Sequence, residues 1–297
     1  MTAFLRAHPL ATLGLFIPTL IVSLVLLVFP FLNGVLIAFT DASPKARGWE
    51  WVGVENFAYI FEDRNFWEVA RNSLIIIATS TLAATLLGLA LALLLNEGLR
   101  GTRLFRTLIF QGWVVPWIAI AVLWGWLFNF DYGILNYALV LAGVLDRSAN
   151  WLADGVLAKI VIISGFVWRI IPFMMITILA ALQGISTDLI EAAKIDGATY
   201  RQRLRHIVLP LIRNVIVVAA LLQSVRLFQE ITLPLVVTGG GPINATTTLS
   251  LYTYKLAFQQ WDFGLAGAVG TIWSAALIFV AGLYAWMVDR RARRADR

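Results

Sequence analysis

Apolar residues run along this chain in long blocks, separated by short stretches in which Arg, Asp, Glu, Gly and Pro collect. A helix needs about 20 mostly apolar residues to cross the hydrocarbon of a bilayer. Residues 11–37, 73–95, 107–129, 157–182, 214–236 and 264–288 each meet that length. The pattern therefore predicts an all-α fold, a polytopic transmembrane helical bundle with six spans. Pro18, Pro30, Pro116 and Pro172 fall inside the blocks. Neighbouring helices in a bundle re-satisfy the carbonyls a proline frees, so these residues are expected to kink the spans without ending them. The first block follows Arg6 as a signal peptide would, yet it continues through Phe39 without a small-residue cleavage site and is expected to be retained.

Composition agrees with a lipid solvent: 60% of residues are hydrophobic and 13% charged, where a soluble domain has about 25% charged. No polar stretch is long enough for an independent globule, so residues 1–297 are expected to form a single transmembrane domain. The absence of cysteine excludes disulfides, thiolate metal sites and cysteine nucleophiles. The net charge of +6 lies beside apolar spans rather than in aromatic-interleaved patches, which argues for topology signals and against nucleic acid. One set of loops carries Arg6, Arg100, Arg103, Arg106, Lys194, Arg201, Arg203, Arg205, Arg213, Arg290, Arg291, Arg293, Arg294 and Arg297; the other has Lys45, Arg47, Arg64, Arg71, Arg147, Lys159 and Lys255. Positive charge favours the cytoplasm, so both termini are expected there. Trp49, Trp51, Trp67, Trp151 and Trp261 then fall near the outer headgroups, where indole rings are favoured.

The longest segment on the expected cytoplasmic side, residues 183–213, reads as helix, turn, helix. Asp188 followed by Glu191 has the spacing of an acidic capping box, and Thr199 followed by Gln202 fits the usual one. Gly197 suits the left-handed position that closes the first helix, and Pro210 suits the first turn of the fifth span. Leu204, Ile207 and Val208 recur at helical spacing, while Ala192 and Ala193 give the first helix a shallow side. Two readings stand: a surface on which another protein docks, or an amphipathic hairpin lying on the anionic leaflet.

Arg169, Arg226 and Glu230 are the ionisable groups deepest in the spans. Charge there is costly and ordinarily faces a protein interior or a water-filled cavity. Arg226 and Glu230 are one turn apart, the spacing of an ion pair. Either they line a translocation path with Gln223 and Gln229, or they brace the bundle. Trp113, Trp117 and Trp124 share a face of the third span by spacing; such a face stacks on sugar C–H surfaces or packs against lipid and other helices.

Some chemistries are excluded. A P-loop needs Gly-Lys followed by Ser or Thr, but the four lysines precede Ala46, Ile160, Ile195 and Leu256. With only His8 and His206, neither a histidine metal cluster nor a Ser–His dyad is expected. The chain is read as a non-catalytic membrane protein with no metal site and no bound cofactor. An ion-coupled secondary transporter is the alternative; it needs midplane carboxylates for its coupling ion, and Glu230 is the one candidate.

The run Glu191-Ala192-Ala193, with Asp196-Gly197, Ile207 and Leu209-Pro210, resembles the EAA loop of permease subunits from bacterial ABC importers. Further stretches are similar to the carbohydrate-uptake branch, in its maltose-permease (MalF) and glycerol-phosphate-permease type. They are Gly53-Val-Glu55-Asn56-Phe57, Phe66-Trp67 with Asn72, Phe130-Asp131-Tyr-Gly133-Ile-Leu-Asn136, Thr238-Gly-Gly240-Gly241-Pro242, Thr248-Leu249 and Phe263-Gly264. The resemblance spans nearly the whole chain, with a core at 73–288. It implies the MetI-like fold of type I importer permeases and a coupling loop at 183–213. It also implies contact of Glu191, Ala192, Ala193, Asp196, Gly197, Ile207, Leu209 and Pro210 with a separate ATPase. The partners it implies are a second, MalG-like permease subunit, two ATP-binding subunits holding ATP and Mg²⁺, an extracytoplasmic sugar-binding protein and membrane lipid. Gln223, Arg226, Gln229, Glu230, Trp117 and Trp124 are the expected substrate-path residues. No extra N-terminal spans or large external domain are expected, and Gln229-Glu230 departs from the aromatic–Asp pair of many relatives.

Overall fold

The structure, a computed structural model, describes residues 9–45, 48–98 and 100–295. Arg6, His8, Arg47 and Arg297, which entered the charge and histidine readings, lie outside them. Among the described residues the chain is helical, with one isolated antiparallel bridge between Thr40 and Trp51. Helices α1 (Pro9–Ser23) and α2 (Phe29–Ile37) precede α3 (Glu55–Glu62), α4 (Arg64–Asn96), α5 (Thr102–Val114) and α6 (Trp117–Leu127). Then follow α7 (Ile134–Leu141), α8 (Gly155–Gln183), α9 (Thr187–Ile195), α10 (Tyr200–Arg203) and α11 (Leu209–Gln229). The last are α12 (Thr232–Thr238), α13 (Leu249–Lys255) and α14 (Phe263–Ala295).

Five continuous helical stretches are long and apolar enough to cross a membrane: Phe16–Ile37, Arg64–Asn96, Gly155–Gln183, Tyr200–Gln229 and Phe263–Gly282. The pair α5 and α6 passes the same test only when the two are taken together, and they meet at 95°, the geometry of a broken span or a re-entrant loop. Pro116 therefore breaks the third span instead of kinking it. Val115 and Pro116 are both extended, with ψ of 128° and 144°, because a proline drives the residue before it out of the helical region and has no N–H to carry the ladder onward. Pro30 and Pro210 are accommodated differently. Each follows a π-helical turn, Leu24–Val28 and Leu204–Val208, in which Phe29 and Leu209 donate back to Leu24 and Leu204. The extra residue in the turn is the usual way a helix absorbs a disruption without ending. Pro172 sits inside the continuous α8.

The chain divides into two compact units. The larger, Trp67–Leu251, has a core of Ile76, Ile120, Phe166, Met174, Met175, Ile178, Ile212, Leu227 and Leu233. Helices approach closely through glycine: a Cβ at Gly88 would lie 2.6 Å from that of Met174, and one at Gly165 would lie 2.7 Å from Leu233 Cδ2. Small residues at crossings are how membrane helices gain packing when lipid supplies no hydrophobic drive.

Two polar knots fix the loops of this unit. Asn136 is buried: its amide donates to Ala149 O at 3.1 Å, and its carbonyl accepts from Ala149 N at 3.1 Å and Trp151 Nε1 at 2.8 Å. In the other, the Asn72 amide donates to Asn244 O at 2.9 Å, and Ser73 Oγ accepts from Leu249 N at 2.8 Å. Thr238 and Thr246 share a 2.6 Å hydroxyl bond, and Thr247 donates to Gly240 O at 3.0 Å. These bonds hold a loop in which Gly239, Gly240, Ile243 and Asn244 all have positive φ and the Gly241–Pro242 bond is cis.

The smaller unit takes its described residues from Met1–Phe66 and Tyr252–Arg297. Here α14 lies against the end of α2. A Cβ at Gly264 would collide with Thr40 O, and one at Gly267 would lie 2.9 Å from Gly34 O. The Asn56 amide donates to Ala38 O and Thr40 O at 2.9 and 2.8 Å, while Phe263 N donates to Ala42 O at 2.9 Å. Outside the spans, Tyr252 donates its phenolic hydrogen to Asp63 Oδ2 at 3.0 Å. Burial, and then the Asp63 bond and charge, push that phenol well above its ordinary pKa.

Candidate functional site

The segment between α8 and α11 folds as a hairpin closed by two defined caps. Ser186 is the N-cap of α9 and accepts from Asp188 N at 3.3 Å. The helix thus starts two residues earlier than the Asp188–Glu191 spacing suggested, because Ser186 has the extended backbone and the oxygen that a cap requires. At its other end Gly197 N donates to Lys194 O at 3.0 Å and Ala198 N to Ala193 O at 2.9 Å. With Gly197 at φ +76°, this is a Schellman closure, which glycine enters without a Cβ penalty. The second helix opens with the expected capping box: Thr199 N donates to Gln202 Oε1 at 2.8 Å and Gln202 N to Thr199 Oγ1 at 3.4 Å. Arg203 Nη1 ties the turn by donating to Ala198 O at 2.6 Å.

The caps orient the two faces of α9. Ala193 is turned inward, whereas Leu189, Ala192 and Ile195 are exposed, Ile195 to 86%. Glu191 lines the other side, a cleft of about 420 Å³ shared with Lys194, Tyr200, Arg203, Leu204 and Val208 and with Asn96, Glu97 and Gln183 of the bundle. Asp196, Gly197 and Ile207 come together around a second hollow with His206. Leu209 packs on the core and Pro210 is exposed. The eight hairpin residues singled out from sequence are thus divided between an outward apolar strip, the buried face of α9 at Ala193, two hollows and the root of α11.

The intramembrane residues separate into two groups. Arg169 on α8 lies with its guanidinium carbon 5.8 Å from the Trp113 ring centre and 5.3 Å from that of Trp117. The bend at Pro116 brings these rings, one on α5 and one on α6, around the same cation. Arg226 lies 5.7 Å over Phe173, one turn from Arg169 on α8. Arg226 and Glu230 form no ion pair. Helix α11 ends at Gln229, so Glu230 leaves the helical path and its carboxylate accepts from Thr232 N at 2.6 Å. Both still act on Arg169 through their charge. Gln223 is 4% exposed, and its Nε2 has no hydrogen-bond partner, nor do the buried Nε and Nη1 of Arg169. Gln229 is exposed. Trp124 belongs elsewhere: it is 7% exposed, donates from Nε1 to Ser164 Oγ at 2.9 Å and packs against Trp168.

Spacing marks Arg169 as a deep charge but does not join it to Trp113 and Trp117, since the bend that brings them together leaves no trace in it. Phe173 was missed; its position one turn after Arg169 was the available signal.

Residues 84–294 match the family described as binding-protein-dependent transport system inner membrane component. The chain belongs to this family of ABC importer permeases. The permease is 34% identical over 256 residues to the trehalose/maltose transport system permease protein MalF of Thermococcus litoralis, covering 86% of each chain. It is 32% identical over 246 residues to the lactose transport system permease protein LacF of Rhizobium radiobacter, covering 82% of this chain and 81% of that one. In fold it superimposes on a chain of a bacterial alginate ABC transporter solved with an alginate pentasaccharide-bound periplasmic protein. The TM-score is 0.82 at 24% identity, over 98% of this chain and 97% of the other. The permease therefore has the all-α, MetI-like fold expected of an inner-membrane importer subunit, with the third apolar block bent at Pro116.

Proposed function

We propose that this permease is the translocating subunit of a sugar importer, driven by a separate ATPase through the hairpin at 183–213. The observation that carries the reading is the outward strip of Leu189, Ala192 and Ile195 on a helix locked at both ends. An isoleucine exposed to 86% has no stabilising role in the lone chain, while a rigid apolar ridge is what a motor subunit needs to push against. The hollow behind α9 lets that push reach Glu191, Lys194 and Arg203 and then α11, rocking the bundle between outward and inward access.

A second permease chain completes the path, ATP and Mg²⁺ reside in two partner ATPase subunits, and an external binding protein delivers the sugar. Both termini face the cytoplasm. Arg169, Gln223 and Arg226, with Trp113, Trp117 and Phe173, supply what a sugar needs in a path: donors for hydroxyl groups and aromatic faces for C–H surfaces. The sugar names of the relatives support the same substrate class.

Ile195→Asp tests the coupling. The reconstituted complex should keep its subunit composition and melting temperature but lose sugar-stimulated ATP hydrolysis and uptake. Undiminished uptake, or uptake that follows a proton or sodium gradient without ATP, overturns the reading.

A further inference from the structure

A cavity of about 600 Å³ opens where the end of α4, the start of α5 and the end of α8 meet. Arg103 and Arg106 line it, one turn apart on α5, together with the amides Asn96 and Gln183. No carboxylate is among its described lining residues; the nearest in sequence, Glu97, lines the adjoining cleft instead. The Arg106 Nε is buried and has no hydrogen-bond partner. A buried donor without a partner is costly unless a ligand satisfies it, and the planar guanidinium fork matches phosphate oxygens.

The surroundings narrow the source of the phosphate. On the same helix Leu104, Phe105 and Leu108 are exposed, an apolar surface beside the basic hollow. That pairing fits an amphiphile, with a charged head in the cavity and acyl chains along α5. Basic pockets between transmembrane helices are a known form of anionic headgroup site.

We infer that this cavity binds the phosphate of an anionic phospholipid headgroup. Asn96 and Gln183 line both this cavity and the cleft beneath the coupling hairpin. A bound headgroup therefore sits at the hairpin's root and stiffens it. The binding site stands by itself, while this effect on coupling rests on the function proposed for the hairpin.

The test uses the complete transporter in nanodiscs of phosphatidylcholine with or without phosphatidylglycerol. Retained phosphatidylglycerol is counted by native mass spectrometry beside ATPase stimulation. The wild type should retain phosphatidylglycerol in preference to phosphatidylcholine. Arg103→Gln with Arg106→Gln should lower that retention on the order of tenfold or more. Arg103→Gln alone, at an exposed side chain, guards against misfolding and should lower retention with the melting temperature unchanged. Equal retention of both lipids, or of phosphatidylglycerol by wild type and variants, overturns the site. Displacement of the lipid by millimolar inorganic phosphate would assign the cavity to the free ion and overturn the lipid reading. Retention unchanged by the variants while ATPase stimulation falls would place these arginines in coupling alone, and would likewise overturn it.

Discussion

The amide of Ala198 closes on the carbonyl of Ala193 at 2.9 Å across Gly197, so the whole hairpin turns on one residue with φ +76°. A Cβ there meets no heavy atom within 4 Å, which removes crowding as a factor and leaves backbone conformation alone. For an L-residue the left-handed region costs about 1–2 kcal/mol, and a β-branched residue is the worst suited to it. Gly197→Val should uncouple ATP hydrolysis from uptake, while Gly197→Asn, which tolerates the left-handed region, should retain most of it. Paired uptake and ATPase assays check this; equal activity of the two variants would show that the turn is not the determinant.

Asn136 bonds Ala149 in both directions and accepts from the Trp151 indole. Asn136→Leu keeps the volume and leaves those groups unpaired. Each buried orphan costs about 1–3 kcal/mol, and the loss should appear as a lower melting temperature of the purified permease. Trp151→Phe removes one donor and should cost less. A reversed order of the two variants would contradict the network as described.

Tyr252 gives a prediction with a pH sign. Its phenol is pushed above the ordinary value of 10.0 by burial and by Asp63, so the folded state favours the protonated form. The stabilisation is fully present below the unfolded pKa and is lost as pH rises from there through the folded pKa. Tyr252→Phe should therefore destabilise the protein at neutral pH by about 1 kcal/mol. The gap from wild type should close as the pH is raised beyond about 10. A gap that stays constant with pH would mean that the Asp63 bond does not hold the proton.

Five of the six expected spans, the hairpin and its second cap were legible in the sequence because each has a local cause: an apolar block, a Gly between two capping signals, Thr199 three residues before Gln202. The cap at Ser186 was not, since Asp188 and Glu191 offer a competing local pattern. The third span was read as continuous because a proline inside an apolar block kinks in one context and breaks in another; Val115 and Pro116 show the second outcome. The expected Arg226–Glu230 pair failed for a similar reason, as helical spacing means nothing beyond Gln229, where the helix stops. Conversely, Gly264 and Asn56 carried the family resemblance without a visible reason. The reason is tertiary, namely the close approach of both to the Thr40 carbonyl.

The cation between Trp113 and Trp117 decides whether the intramembrane cluster handles substrate. Cation–π contacts to two rings are worth about 0.5–2 kcal/mol each, so Arg169 has a structural share in any case. The unpaired Nε and Nη1, and the unpaired Gln223 Nε2, are a different matter, because packing does not require them. Arg169→Lys keeps the charge and loses the fork; Gln223→Leu keeps the volume and loses the donor. If these atoms meet sugar hydroxyls, both variants should raise the sugar concentration needed for half-maximal uptake by about five- to thirtyfold, at roughly 1–2 kcal/mol per lost bond. Subunit assembly and sugar-independent ATP hydrolysis should be unchanged. Were both variants to lower the melting temperature and leave the half-saturating concentration alone, the cluster would be a brace of the bundle, and the path would have to run elsewhere.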